Sequence, residues 1–165
     1  MQVASHSPFS SAPRRGLRQR GLALAQSVVH RLDQLSPLVD LVIRVFVAMV
    51  FFKAGLTKIA SWSGTLALFE NEYAVPLLSP EIAALLATTV ELVFPVLLVL
   101  GLGTRLSALA LFVLNIVAVI SYPEIGEVGL RDHQMWGLLL LVTLLHGPGA
   151  LSLDHLIGRR FLGRH

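Results

Sequence analysis

Four long apolar stretches, parted by short polar breaks, set the plan of the chain: about 38–59, 80–102, 104–121 and 132–147. A helix needs roughly 20 apolar residues to cross a bilayer, and these stretches have about that length. Polar residues punctuate them at the expected places. Ser36 is predicted to cap the first helix, with Pro37 in its opening turn, where a missing N–H does no harm. Ser79-Pro80-Glu81 repeats that signal for the second. Gly101 and Gly103 predict a tight turn into the third, which Ser121-Tyr122-Pro123 closes. Asp132 is predicted to cap the fourth, and Gly147-Pro148-Gly149 to end it. The fourth is short for the hydrocarbon core, so its last turn needs shelter from neighbours or a thinned bilayer.

Weaker periodicities fill the gaps. Leu24, Val28, Leu32 and Leu35 recur at helical spacing and predict an amphipathic helix on the membrane surface. Trp62, Leu66, Phe69 and Tyr73 fall on one face of a short helix suited to the interface, where Trp and Tyr concentrate. Ser152 is predicted to cap a last surface helix carrying Leu153, Leu156, Ile157 and Phe161. The resulting division is a basic tail (1–36), a four-span domain (37–151) and an amphipathic C-terminal segment (152–165).

Composition agrees with a membrane protein. Of 165 residues, 55% are hydrophobic and 14% charged, against about a quarter charged in soluble domains. The net charge of +3 does not indicate nucleic acid, because the basic residues flank apolar runs. With both termini inside, the cytoplasmic set is Arg14, Arg15, Arg18, Arg20, Arg31, Arg105, Arg159, Arg160 and Arg164. The outer set is Lys58 and Arg131, so the asymmetry predicts both termini in the cytoplasm. The basic, Ser-rich tail has a second reading as a mitochondrial presequence. Four spans with short connections predict an all-α, up-down-up-down bundle.

Ionisable residues inside the spans are costly, on the order of 2.5–3.5 kcal/mol each at mid-bilayer on insertion scales. Glu91 lies halfway along the second span, and Arg44 and Lys53 lie within the first. At about 100° per residue, Arg44, Ala48, Phe51, Gly55 and Lys58 share a face. Lys53 falls opposite and is expected to snorkel outward. Arg44 is the expected partner of Glu91, with Thr88 and Asn115 completing an intramembrane polar site. Gly55 opens that face to close approach, and Pro95 leaves the Glu91 carbonyl without its i+4 donor. A second cluster of Lys58, Trp62, Tyr73, Asp132 and His133 is expected at the outer end, where His133 could donate to a quinone-like carbonyl or simply be hydrated. The polar site itself has three readings: a structural lock, a proton relay or ligand site, or contacts to a partner subunit.

Other chemistries lack residues. The chain has no cysteine, which excludes disulfides, thiol catalysis and iron–sulfur clusters. His133 and His146 stand at opposite ends of the fourth stretch, so a transmembrane bis-His haem has no ligands. No spacing resembles a metal site, and Gly101-Leu102-Gly103 reads as a turn.

The order of Arg44, Phe51, Gly55 and Lys58 in "RVFVAMVFFKAGLTKI", then "VELVFPVLLVLGLGTR" with Glu91, Gly101 and Arg105, then His133 and "HGPGALSLDH", resembles the DoxX family of small bacterial membrane proteins. The likeness covers about 38–157, and Lys53 departs from the general pattern. It implies a four-helix bundle in the bacterial inner membrane, in a family associated with thiosulfate:quinone oxidoreductase, oxidative-stress complexes and copper-related modified peptides. It also implies Arg44, Lys58, Glu91 and His133 as candidate site positions. The expected function is a membrane subunit of a redox or stress-linked system, with quinone as the candidate cofactor. Such a subunit works beside a protein partner or as a homo-oligomer. Two rivals are a small proton-coupled transporter and a non-catalytic anchor for a copper-related modified-peptide system.

Overall fold

The computed structural model describes residues 14–161, and among these all regular structure is helical. The Ser-rich tail at 1–13, the side chains of Arg14, Arg15, Arg18, Arg20, Leu24 and Phe161, and Arg164 lie outside the described residues. Six helices follow in order: α1 (Arg14–Ala60), α2 (Trp62–Asn71), α3 (Pro80–Leu100), α4 (Thr104–Ser121), α5 (Gly126–His146) and α6 (Leu153–Phe161). The chain divides into two units, Met1–Ser36 and Pro37–His165. In the first, the described residues are helical, and Val28, Leu32 and Leu35 are exposed.

Local chemistry explains most helix ends in the second unit. The Ser79 hydroxyl accepts from the Ile82 amide, and Pro80 opens α3. Gly101 and Gly103 both adopt positive φ, 69° and 56°, which lets the chain reverse between α3 and α4 in three residues. Gly147 ends α5, and the Ser152 hydroxyl accepts from the His155 amide at the head of α6.

Two predicted starts are corrected. Ser36 caps nothing, because α1 runs on through Pro37. A proline removes one backbone donor, and the flanking helix-compatible residues keep the remaining ladder intact. Asp132 likewise lies inside α5, which begins six residues earlier at Gly126. The residues between, Glu127 to Arg131, are mostly good helix formers, so the helix extends past its most obvious cap.

The core is small and drawn from four helices. Val47, Ala48 and Phe51 of α1 meet Leu98 of α3, Ala108 and Leu111 of α4 and Leu140 of α5. Phe51 meets Trp136 edge-on, with ring centres 6.2 Å apart. Helix α4 packs along both α3 and α5. Helix α2 folds onto the start of α3, where Phe69 is buried against Ala83 and Ala84, with Leu66 and Tyr73 beside it. Its aromatic face thus packs on protein, and Trp62 alone of the predicted four stays substantially exposed.

Burial is inverted relative to a soluble domain. Along α3 the buried positions include Thr88, Glu91 and Pro95, whereas Ile82, Leu85, Leu86, Val93 and Val96 are exposed. Large aliphatic side chains on the outside of every long helix need an apolar surround. Three helical segments, Gln26–Ala60, Pro80–Leu100 and Thr104–Ser121, are long and apolar enough to cross a membrane. Helix α5 is equally long, but Glu127, Arg131, Asp132 and His133 occupy its first turns and confine its apolar part to 135–145.

Candidate functional site

Helix α1 brings its polar face inward as its periodicity predicts. Arg44, Ala48, Phe51 and Gly55 are buried, Lys58 is partly so, and Lys53 faces outward. The partners differ from the prediction. Lys58 Nζ donates to both oxygens of Glu91, each at 2.7 Å. Arg44 does not pair with Glu91. Its Nη2 donates to the Leu151 carbonyl, and its guanidinium lies against Gly101 and Ser152 at the other end of α3.

The physical reason is helix register. A Cβ on Gly55 would stand 3.0 Å from Glu91 Cβ and 2.9 Å from Leu92 Cδ2, so Glu91 crosses α1 at Gly55. Arg44 is eleven residues away along α1, about 16 Å at 1.5 Å per residue. Lys58 is one turn away. Gly55→Ala is therefore expected to destabilise the protein by about 1–3 kcal/mol through overpacking of α1 on α3. A thermal-unfolding shift in detergent checks this, and an unchanged midpoint would contradict the close crossing.

The remaining members of the predicted polar site separate. The Thr88 hydroxyl donates to the Ala84 carbonyl of its own helix at 2.7 Å and takes no part in the ion pair. Asn115 of α4 joins His133 of α5 instead. Its Nδ2 donates to the His133 carbonyl at 2.9 Å, and its Oδ1 stands 2.8 Å from His133 Nδ1. Pro95 is buried in α3, one turn beyond Glu91.

Glu91 therefore belongs with the other cluster. Lys58, Tyr73, Glu91 and His133 all line one cavity of about 340 Å³, otherwise walled mainly by aliphatic and aromatic side chains of α2, α3 and α4. Trp62 is not on its wall. Two wall residues carried no site signal in the sequence beyond ending a helix: Ser121 and Tyr122. The Tyr73 and Tyr122 rings meet edge-on at 5.3 Å, and the Ala74 amide donates to the Ser121 carbonyl. Burial, the neighbouring Tyr122, and the Glu72 and Glu91 carboxylates together push the Tyr73 phenol above its ordinary range, so it stays a neutral hydroxyl. The Ser121 hydroxyl is buried and has no hydrogen-bond partner among the described residues.

At the opposite end stands Asp154, marked in the sequence only by its place in the run "HGPGALSLDH". It supplies the cap that Gly103 cannot. Its carboxylate accepts from the Gly103 and Thr104 amides, both at 2.8 Å, and from the Thr104 hydroxyl at 3.0 Å. Burial alone would raise this carboxyl. The Thr104 and Gly103 hydrogen bonds and the Arg44 charge outweigh it and hold Asp154 below the ordinary carboxylate range.

Comparison with known proteins places the chain. The family model DoxX matches residues 39–123. An "Uncharacterized protein" of Haemophilus influenzae is 35% identical over 126 residues, covering 71% of this chain and 82% of the relative. The "Inner membrane protein YphA" of Escherichia coli (strain K12) is 32% identical over 129 residues, covering 72% of this chain and 89% of the relative. No solved structure matches the chain significantly. The matched segment holds Arg44, Gly55, Lys58 and Glu91, the same helices whose polar residues turn inward and whose aliphatic residues turn outward, and the chain belongs to the DoxX family of membrane proteins.

Proposed function

We propose that this DoxX-family protein is a membrane subunit of a redox or stress-linked system and binds a quinone-class ring in the cavity at Lys58, Glu91 and His133. The observation that carries the reading is an apolar cavity of about 340 Å³ with a partly buried ion pair and a histidine on its wall. Ligand sites of this kind combine mostly apolar walls with a few polar groups that orient the ligand. Lys58 spends two N–H donors on Glu91 and keeps a third for a ring oxygen. The chain has no cysteine to hold an iron–sulfur cluster, so a carrier of that kind belongs to a partner subunit.

In this reading the protein resides in the bacterial inner membrane with four spans, α5 being the fourth, and with both termini in the cytoplasm. Arg105 opens α4 just after the α3–α4 turn and Arg159 and Arg160 lie in the last turn of α6, against Lys58 and Arg131 near the other end, which supports that orientation. The inner-membrane name of the Escherichia coli relative supports the location.

Purified in mild detergent, the protein should retain extractable quinone, detected by chromatography with mass spectrometry. It should also bind a short-chain ubiquinone saturably. Lys58→Met should lower binding per folded molecule by about ten- to hundredfold, the loss of one charge-assisted hydrogen bond. Absence of both retained quinone and saturable binding would sink the reading.

A further inference from the structure

The Asn115–His133 pair fixes more than a contact. A backbone carbonyl can only accept, so the Asn115 atom facing the His133 carbonyl at 2.9 Å must be its NH₂. That places the Asn115 oxygen 2.8 Å from His133 Nδ1, and an oxygen there requires Nδ1 to carry the proton. In the neutral ring Nε2 is then a bare acceptor. It makes no hydrogen bond among the described residues, while His133 lines the cavity, as well as a second recess beside Asn115, and its ring meets Trp136 edge-on at 4.8 Å. With Nδ1–H turned to Asn115, the neutral ring presents Nε2 as an acceptor on a mainly apolar wall. Of the two roles the sequence left open for His133, a donor to a quinone carbonyl or a hydrated ring, this tautomer does not fit the first. A carbonyl set against Nε2 would oppose two acceptors.

We infer that Asn115 is a positioning residue that holds His133 as an acceptor, so that the cavity selects a ring bearing a hydroxyl, a hydroquinone or phenol, over the corresponding quinone. The inference rests on the cavity being a ring-binding site. The hydroxyl hydrogen meets Nε2, and its oxygen remains free to accept from another wall donor. The buried, unpartnered Ser121 hydroxyl is a second wall group that a ligand would satisfy.

The test uses the full chain in nanodiscs under anaerobic conditions, with three probes: tetramethylhydroquinone, its quinone and its dimethyl ether. Full methylation of the ring blocks addition by lysine. The hydroquinone should bind at least about tenfold more tightly than either of the others. His133→Phe should abolish the difference, and Asn115→Leu should reduce it several-fold. Nitrogen-15 NMR of the labelled histidines reads the tautomer without any variant, and should show Nδ1–H with bare Nε2 for one ring. Equal or tighter binding of the quinone, or an Nε2–H tautomer at His133, would overturn the inference and leave ring binding standing. Failure of all three probes to bind would overturn ring binding itself.

Discussion

Replacing Lys58 by Met will destabilise this protein far more than replacing Glu91 by Gln, and a Lys58→Met/Glu91→Leu double change will be milder than Lys58→Met alone. The two groups are not equally trapped. The Glu91 side chain is 10% exposed, halfway along α3, and both of its oxygens are held by Lys58. The Lys58 side chain is 19% exposed and stands two residues from the end of α1. Losing Lys58 strands a carboxylate among apolar walls, a change that costs about 3–5 kcal/mol where buried pairs have been broken. Losing the Glu91 charge leaves an ammonium that can extend along its stem toward the surface, and the Gln carbonyl still accepts one bond. Removing both groups removes the desolvation penalty as well as the attraction. Thermal unfolding followed by size-exclusion fluorescence in detergent measures all three. Equal and additive losses would show that the pair is not coupled.

The second large effect is expected at the α3–α4 turn. Gly101→Ala should abolish or severely reduce folded protein, whereas Gly103→Ala should be tolerated. Both glycines adopt positive φ, so either alanine carries backbone strain on the order of 1–2 kcal/mol. Only Gly101 is also packed. A Cβ there would stand 2.4 Å from Ser152 Cβ and 2.5 Å from Arg44 Nη1, whereas one on Gly103 meets nothing within 4 Å. Arg44 is 1% exposed and has few ways to yield. The difference between the variants thus isolates the packing of the C-terminal segment on Arg44 and the turn. Two equally mild variants would mean that this packing is absent in the membrane.

The pair and the turn also show how far the sequence could be read. Features set within a few residues were legible. The Ser79 and Ser152 caps, the Gly101–Gly103 reversal and the stop at Gly147 each follow from hydrogen-bonding or φ requirements that a residue carries with it. Ser36 and Asp132 failed as caps for the complementary reason. A cap residue favours a helix start but cannot stop a helix whose neighbours continue it. The inward face of α1 and the membrane character were also legible, since helical spacing and the cost of desolvating charge act along a single element.

Partner choice was not. The sequence put Arg44, Lys58 and Glu91 in play without the relative height of α1 and α3. That height is fixed where Gly55 admits Glu91 and Leu92, and by α2 packing its Phe69 face on Ala83 and Ala84. One helical turn moves a side chain about 5.4 Å, further than any hydrogen bond can stretch. The sequence by itself therefore determined which residues turn inward, because that is decided by each helix alone. Only the tertiary structure decided that Lys58 holds Glu91, that Asn115 holds His133 and that Arg44 closes the far end, because those pairings depend on the axial offset between helices.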